Sequence, residues 1–117
     1  MADYYYGADR KMNGGRLQRL GTLAPAASQA WEAFDRAAFA DGALEARTKQ
    51  LMGVAIGHVT GCPYCIDFHT RLAKRAGATD AQLAEAVFVA MAMSAGKAWG
   101  HACIAMETLE EVAQRGR

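Results

Sequence analysis

Residues 60–63, Thr-Gly-Cys-Pro, place a helix stop and a helix start back to back. Gly61 sits where a left-handed C-terminal cap is expected, closing an apolar-periodic run over 44–59. Pro63 has no amide hydrogen to lose in a first turn, so it opens the next helix with Cys62 at the cap. Whatever else the chain does, it presents a Cys-x-x-Cys pair, Cys62 and Cys65, at a helix N-terminus. His69 lies four residues past the second cysteine.

The remaining text is also helical in period. "PAASQAWEAFDRAAF", 25–39, predicts a helix with Trp31, Phe34 and Ala38 at helical spacing. The run from Leu44 to Val59 aligns Leu44, Thr48, Leu51, Met52, Ala55 and Val59 along one face. "PYCIDFHTRLAKRA" forms the next helix, with Lys74 and Arg75 complementing its dipole and Gly77 closing it. Thr79 and Gln82 make a capping-box pattern for a fourth helix to about Met93, where Ser94 and Gly96 are expected to interrupt it. A last helix runs from about Lys97 to Gln114. No segment alternates with period two, so the fold class is all-α. The first fifteen residues, "MADYYYGADRKMNGG", lack a period and end in a glycine pair. They read as an arm, with the tyrosines at 4–6 placed to touch another subunit.

Composition excludes several classes of function. A chain of 117 residues with 52% hydrophobic content suits one domain, 1–117, and the net charge of +1 carries no basic block for nucleic acid. The longest apolar run, 86–95, is about half of the ~20 residues that cross a bilayer. No signal-like segment opens the chain, so the expected location is cytoplasmic, with no membrane partner. Three cysteines without an export signal argue for catalytic or ligand use of the close pair.

The spacing gives that pair a chemistry. Only the thiolate of a cysteine is nucleophilic, and the unpaired amides and dipole of a helix start favour a negative sulfur there. Residues i and i+4 share a helix face, so His69 can accept the proton of Cys65. Cys62 is near enough to resolve an oxidised Cys65 into a disulfide. His58, four residues before Cys62, is a candidate second proton carrier or a polar residue favoured at a helix C-terminus. The alternative is a metal site, with Cys62, Cys65 and His69 joined by His101 or Cys103. Those last two point about 200° apart on a helix and do not easily face one ion together. Met91, Met93, Met106, Phe88 and Trp99 read as core or interface filling, and Cys103 as a buried cysteine.

Residues 44–102 resemble the AhpD-like family of the carboxymuconolactone decarboxylase superfamily. The likeness rests on Gly-Cys-x-x-Cys-x-x-x-His at 61–69, the Gly-Ala-Thr turn at 77–79 and "AEA" at 84–86. It implies a helical bundle built on an antiparallel helical hairpin, assembled as trimers or hexamers. It also implies a thiol peroxidase in which Cys65 attacks a hydroperoxide or disulfide, Cys62 resolves it, and an external dithiol reduces the Cys62–Cys65 disulfide. No other cofactor and no metal are expected. His69 matches the histidine of the family's proton relay. The glutamate that completes the relay is replaced here by Gln50, which can orient an imidazole but cannot take a proton. Glu45 is more than one turn from that position, and Asp67 lies nearly opposite Cys65. The competing functions are a redox-sensing or zinc-binding scaffold without turnover, and a lactone decarboxylase-like enzyme using His58 or His69.

Overall fold

The computed structural model describes residues 14–116, and residues 1–13 and 117 lie outside the described part. The expected arm therefore falls outside it, save Gly14 and Gly15, which open a helix. Five helices follow in order: α1 (Gly14–Leu23), α2 (Pro25–Phe39), α3 (Ala46–Thr60), α4 (Pro63–Arg75) and α5 (Asp80–Arg115). Among the described residues there is no strand.

Helix α1 was not legible, because two glycines at its start and a third inside it lower its helix propensity. Packing supplies what propensity lacks. A Cβ at Gly21 would sit 2.7 Å from Ser28 Oγ, so α1 lies directly on α2. Pro25 then starts α2 in its first turn, as the sequence predicts. Between α2 and α3 the loop is tied at both ends. Lys49 Nζ donates to the Ala40 carbonyl at 2.6 Å, and Asp41 Oδ1 accepts the Ala46 amide at 2.7 Å. The second bond holds the start of α3 at Ala46, two residues after the predicted start.

The junction at Gly61 is as expected. Gly61 is left-handed (φ 69°, ψ 41°) and the Cys62 amide donates to the Gly57 carbonyl at 2.9 Å. The chain reverses there, so α3 and α4 form an antiparallel hairpin: Gly57 faces Cys65, and one turn earlier on α3, Gly53 faces His69. The α4–α5 turn uses Gly77 at φ 93°, a Lys74–Asp80 ion pair of 2.7 Å, and the capping box between Thr79 and Gln82.

Helix α5 corrects an expectation. It runs unbroken for 36 residues through Ser94 and Gly96. A single glycine costs about 1 kcal/mol relative to alanine, too little to stop a helix capped at its start and free of proline. At 1.5 Å per residue it spans about 54 Å. Its first half packs on α3, and the longest dimension of the molecule is 62 Å.

The interior of the isolated chain is correspondingly small. Buried side chains are Gln50, Val54, Ala73, Ala78 and Ala90. The faces expected from periodicity are not the buried ones. Trp31 and Phe34 are 62% and 66% exposed, and Met52 and Val59 are also exposed. The inward face of α3 is instead Gln50, Val54 and Gly57. Phe88, Met91, Met93, Trp99 and Met106 are exposed, so they fill no core within the chain, and Cys103 is an exposed free cysteine. A compact chain of this length has a radius of gyration of about 13 Å. The value here is 19.8 Å.

Candidate active site

The two cysteines occupy the positions that the Gly-Cys-Pro junction dictates. Cys62 is the N-cap of α4, and its Sγ accepts the Cys65 amide at 3.2 Å. Cys65 stands in the first turn, and the two form a disulfide with Cα atoms 5.3 Å apart. Both residues are half-buried. The helix start thus directs an amide hydrogen at the sulfur of Cys62, an arrangement that favours a thiolate there once the bond is reduced.

One turn along α4, His69 is held on three sides. From α3, Gln50 Oε1 lies 2.7 Å from His69 Nδ1. The carboxamide oxygen accepts, so Nδ1 carries the hydrogen and Nε2 keeps the lone pair. From α2, Phe39 stacks on the imidazole with ring centroids 4.8 Å apart and planes at 19°. From α4 itself, Phe68 meets it edge-on at 5.3 Å. Burial among these groups lowers the His69 pKa from its ordinary 6.5, and the charge of Asp35 on α2 opposes that shift. The ring is therefore a neutral base at neutral pH.

Two glycines make this geometry possible. A Cβ at Gly53 would stand 3.0 Å from His69 Cγ, and one at Gly57 would stand 3.2 Å from Cys65 Cβ and 3.3 Å from the Ile66 amide nitrogen. A larger side chain would press on the His69 ring from position 53, and on Cys65 Cβ and the α4 backbone from position 57. The signal was present in "GVAIG", 53–57, as two glycines one turn apart on the helix leading to the cysteines. Phe39 and Asp35 were hidden by the apolar stripe of Trp31 and Phe34, which points elsewhere.

The other sequence candidates lie apart from this cluster. His58 turns back on its own helix, donating from Nδ1 to the Val54 carbonyl at 2.8 Å, and lines a shallow depression with Ala90, Met91 and Ser94 of α5. Glu45 pairs with Arg47 at 2.9 Å, and Asp67 with Arg71 at 3.1 Å. Cys103 lines a surface hollow on α5 with Trp99 and Met106. Among the described residues no three histidine, cysteine or acidic side chains gather as a metal site.

The family model for the carboxymuconolactone decarboxylase family matches residues 25–108. The chain belongs to that family. A protein of the cox locus of Paracoccus denitrificans is 51% identical over 83 residues, covering 71% of this chain and 75% of its own. One from Cupriavidus necator is 42% identical over 77 residues, covering 66% and 68%. Among solved structures, a protein from Methanobacterium thermoautotrophicum is similar with TM-score 0.71 and 31% identity, over 76% of this chain and 97% of its own. A carboxymuconolactone decarboxylase family protein from Legionella pneumophila is similar with TM-score 0.67 and 31% identity, over 84% and 88%. Members of the carboxymuconolactone decarboxylase family are often enzymes, and membership supports a function of peroxidase or decarboxylase type. Among the described residues no helix is long and apolar enough to cross a membrane.

The hold of Gln50 on His69 sets a testable sign. Gln50→Glu puts a carboxylate against Nδ1, and the His69 pKa, now below 6.5, is expected to rise in an NMR titration. Because the folded value lies below the unfolded one, the native state binds fewer protons, and stability is lost as pH falls through 6.5 toward the folded pKa. Gln50→Glu should shrink that loss in thermal melts across the same window. An unchanged titration would contradict the contact.

Proposed function

We propose that the chain is a thiol-dependent peroxidase in which Cys65 reduces a hydroperoxide and an external dithiol restores the pair. The observation that carries this reading is the disulfide-forming pair at the start of α4 with a neutral, oriented imidazole one turn below Cys65.

The steps follow from that arrangement. In the reduced enzyme His69 Nε2 takes the Cys65 proton, and the resulting thiolate attacks the outer oxygen of the hydroperoxide. The O–O bond breaks, Cys65 becomes a sulfenic acid, and the departing alkoxide leaves as alcohol with the proton from His69. The Cys62 thiol, its anion favoured by the Cys65 amide, then attacks the Cys65 sulfur, and the proton it gives up leaves with the displaced hydroxide as water. A dithiol attacks the Cys62–Cys65 disulfide by exchange, so one hydroperoxide and one dithiol give alcohol, water and an external disulfide. Gln50 fixes the tautomer but takes no proton, so the relay is His69 alone and His58 has no step in it.

The reaction belongs to an assembly of copies. Among the described residues twenty large apolar side chains are exposed on the single chain, nine of them on α5, and six residues are buried. A second copy covers such surfaces without bringing polar groups into them. The expected outcome of sedimentation is a mass several times the 12.5 kDa of the chain, with trimer or hexamer the arrangements the resemblance implies. A single 12.5 kDa species would contradict it.

Variants of the pair test the reaction. With a hydroperoxide and a dithiol as substrates, Cys65→Ser abolishes turnover and His69→Ala slows it by about 10²-fold or more. Cys62→Ser consumes about one equivalent of hydroperoxide and stalls with Cys65 oxidised. Equal residual turnover in the two cysteine variants would overturn the order, and saturable turnover in Cys65→Ser would remove the peroxidase reading.

A further inference from the structure

Helix α5 carries two apolar faces. The inward one, Leu83, Val87 and Ala90, is buried or half-buried, and the helix packs on α3. The other lies outside: from Ala81 to Val112, steps of alternately three and four residues land on an apolar side chain each time, and all of these residues are exposed. A helix laid on a globular surface repeats every 3.6 residues, whereas a strict repeat of 3.5 kept over about four heptads is the seam along which one helix supercoils with another. The seam covers about 48 Å. The other described helices are 10 to 15 residues long, so the element of this chain that matches the seam in length is α5 itself.

We propose that α5 pairs with α5 of a second copy as an antiparallel two-helix seam centred between Gly96 and Lys97. The inference rests on the assembly of copies put forward above and names its surface, orientation and register.

Side-chain size decides the orientation. In the antiparallel register each a residue of the heptad meets a d residue of the other helix. Phe88 then faces the partner's Ala105, and Met91 the partner's Ala102. Leu109 faces the partner's Ala84, Val112 the partner's Ala81, and Ala95 meets the partner's Ala98 at the centre. Each layer outside the centre sets a large side chain against an alanine, so the two axes keep one close distance along the whole seam. In the parallel register like meets like. Phe88 would stand on Phe88 and Leu109 on Leu109, with layers of alanine on alanine between them, which crowds the helices at some levels and leaves gaps at others. Charge agrees with size. Antiparallel pairing brings Arg115 beside the partner's Asp80 at both ends, whereas parallel pairing sets Asp80 against the partner's Glu85. The contact is two-fold, so copies assemble in even numbers, which selects the hexamer over the trimer.

The full chain tests this with a pair of positions that cannot meet within one molecule. Residues 91 and 102 lie about 17 Å apart along one helix, beyond the roughly 7 Å that a disulfide spans between Cα atoms. In a Cys103→Ser background carrying Met91→Cys and Ala102→Cys, mild oxidation is expected to give a covalent dimer whose peptide map joins position 91 to position 102. Either substitution alone is expected to give none. Ala105→Arg places a charge opposite Phe88 at a position exposed on the single chain, so it should keep the helical circular dichroism and lower the sedimentation mass to half or less. Linkage of 91 to 91 or of 102 to 102, as the parallel register requires, overturns the proposal. So does an odd number of copies, or an assembly whose mass Ala105→Arg leaves unchanged. A wild-type chain found only at 12.5 kDa removes the assembly reading and this one together, whereas an assembly without the 91 to 102 link removes this one alone.

Discussion

The site depends on how closely α3 and α4 approach one another. Gly53 and Gly57 strip α3 of side chains on the side where His69 and Cys65 project from α4, and the reversal at Gly61 brings the two helices together in antiparallel register. With α4 this near, the carboxamide of Gln50 reaches His69 at 2.7 Å. The imidazole is then clamped between helices, one turn below the cysteines. The tautomer set by Gln50 and the neutral resting state set by burial follow from that approach, while the pairing of sulfurs follows from the cap that Pro63 imposes on α4.

The same economy explains why so little of the chain is buried. A hairpin interface built on glycine and alanine contributes tight contact but little apolar area, and among the described residues Val54 is the one large side chain fully enclosed. Among those residues twenty large apolar side chains, from Leu17 to Val112, are exposed although the helices pack on one another. The assembly of copies proposed above would cover that surface, including the exposed second half of the 36-residue helix α5.

Local signals in the sequence were read correctly wherever they acted locally. The Gly61 stop, the Cys62 cap, the Pro63 start and the Thr79–Gln82 box depend on a few adjacent residues, and each stands where the pattern places it. Features decided by long-range packing were not legible. Ser94 and Gly96 look like a break, yet nothing in the chain competes with continuing the helix. Trp31, Phe34 and Met52 resemble a core because apolar periodicity cannot distinguish an intrachain face from one left for another copy. The inward face of α3 escaped notice because it is polar and small, with Gln50 at its centre. For the site, Cys62, Cys65 and His69 stand along the start of one helix as their spacing suggests, and Gln50, which only the family resemblance pointed to, meets His69 from α3. Phe39 and Asp35 were missed because a distance of 30 residues between Phe39 and His69 carries no pattern. His58, though close to Cys62 in sequence, turns to its own backbone.

The most direct measurement counts thiols in the reduced protein before and after one equivalent of an organic hydroperoxide, by alkylation under denaturing conditions and mass spectrometry with peptide mapping. The account predicts that two thiols disappear, that Cys62 is found joined to Cys65, and that Cys103, exposed on α5, remains free to alkylate. Three alkylated thiols after treatment would contradict it.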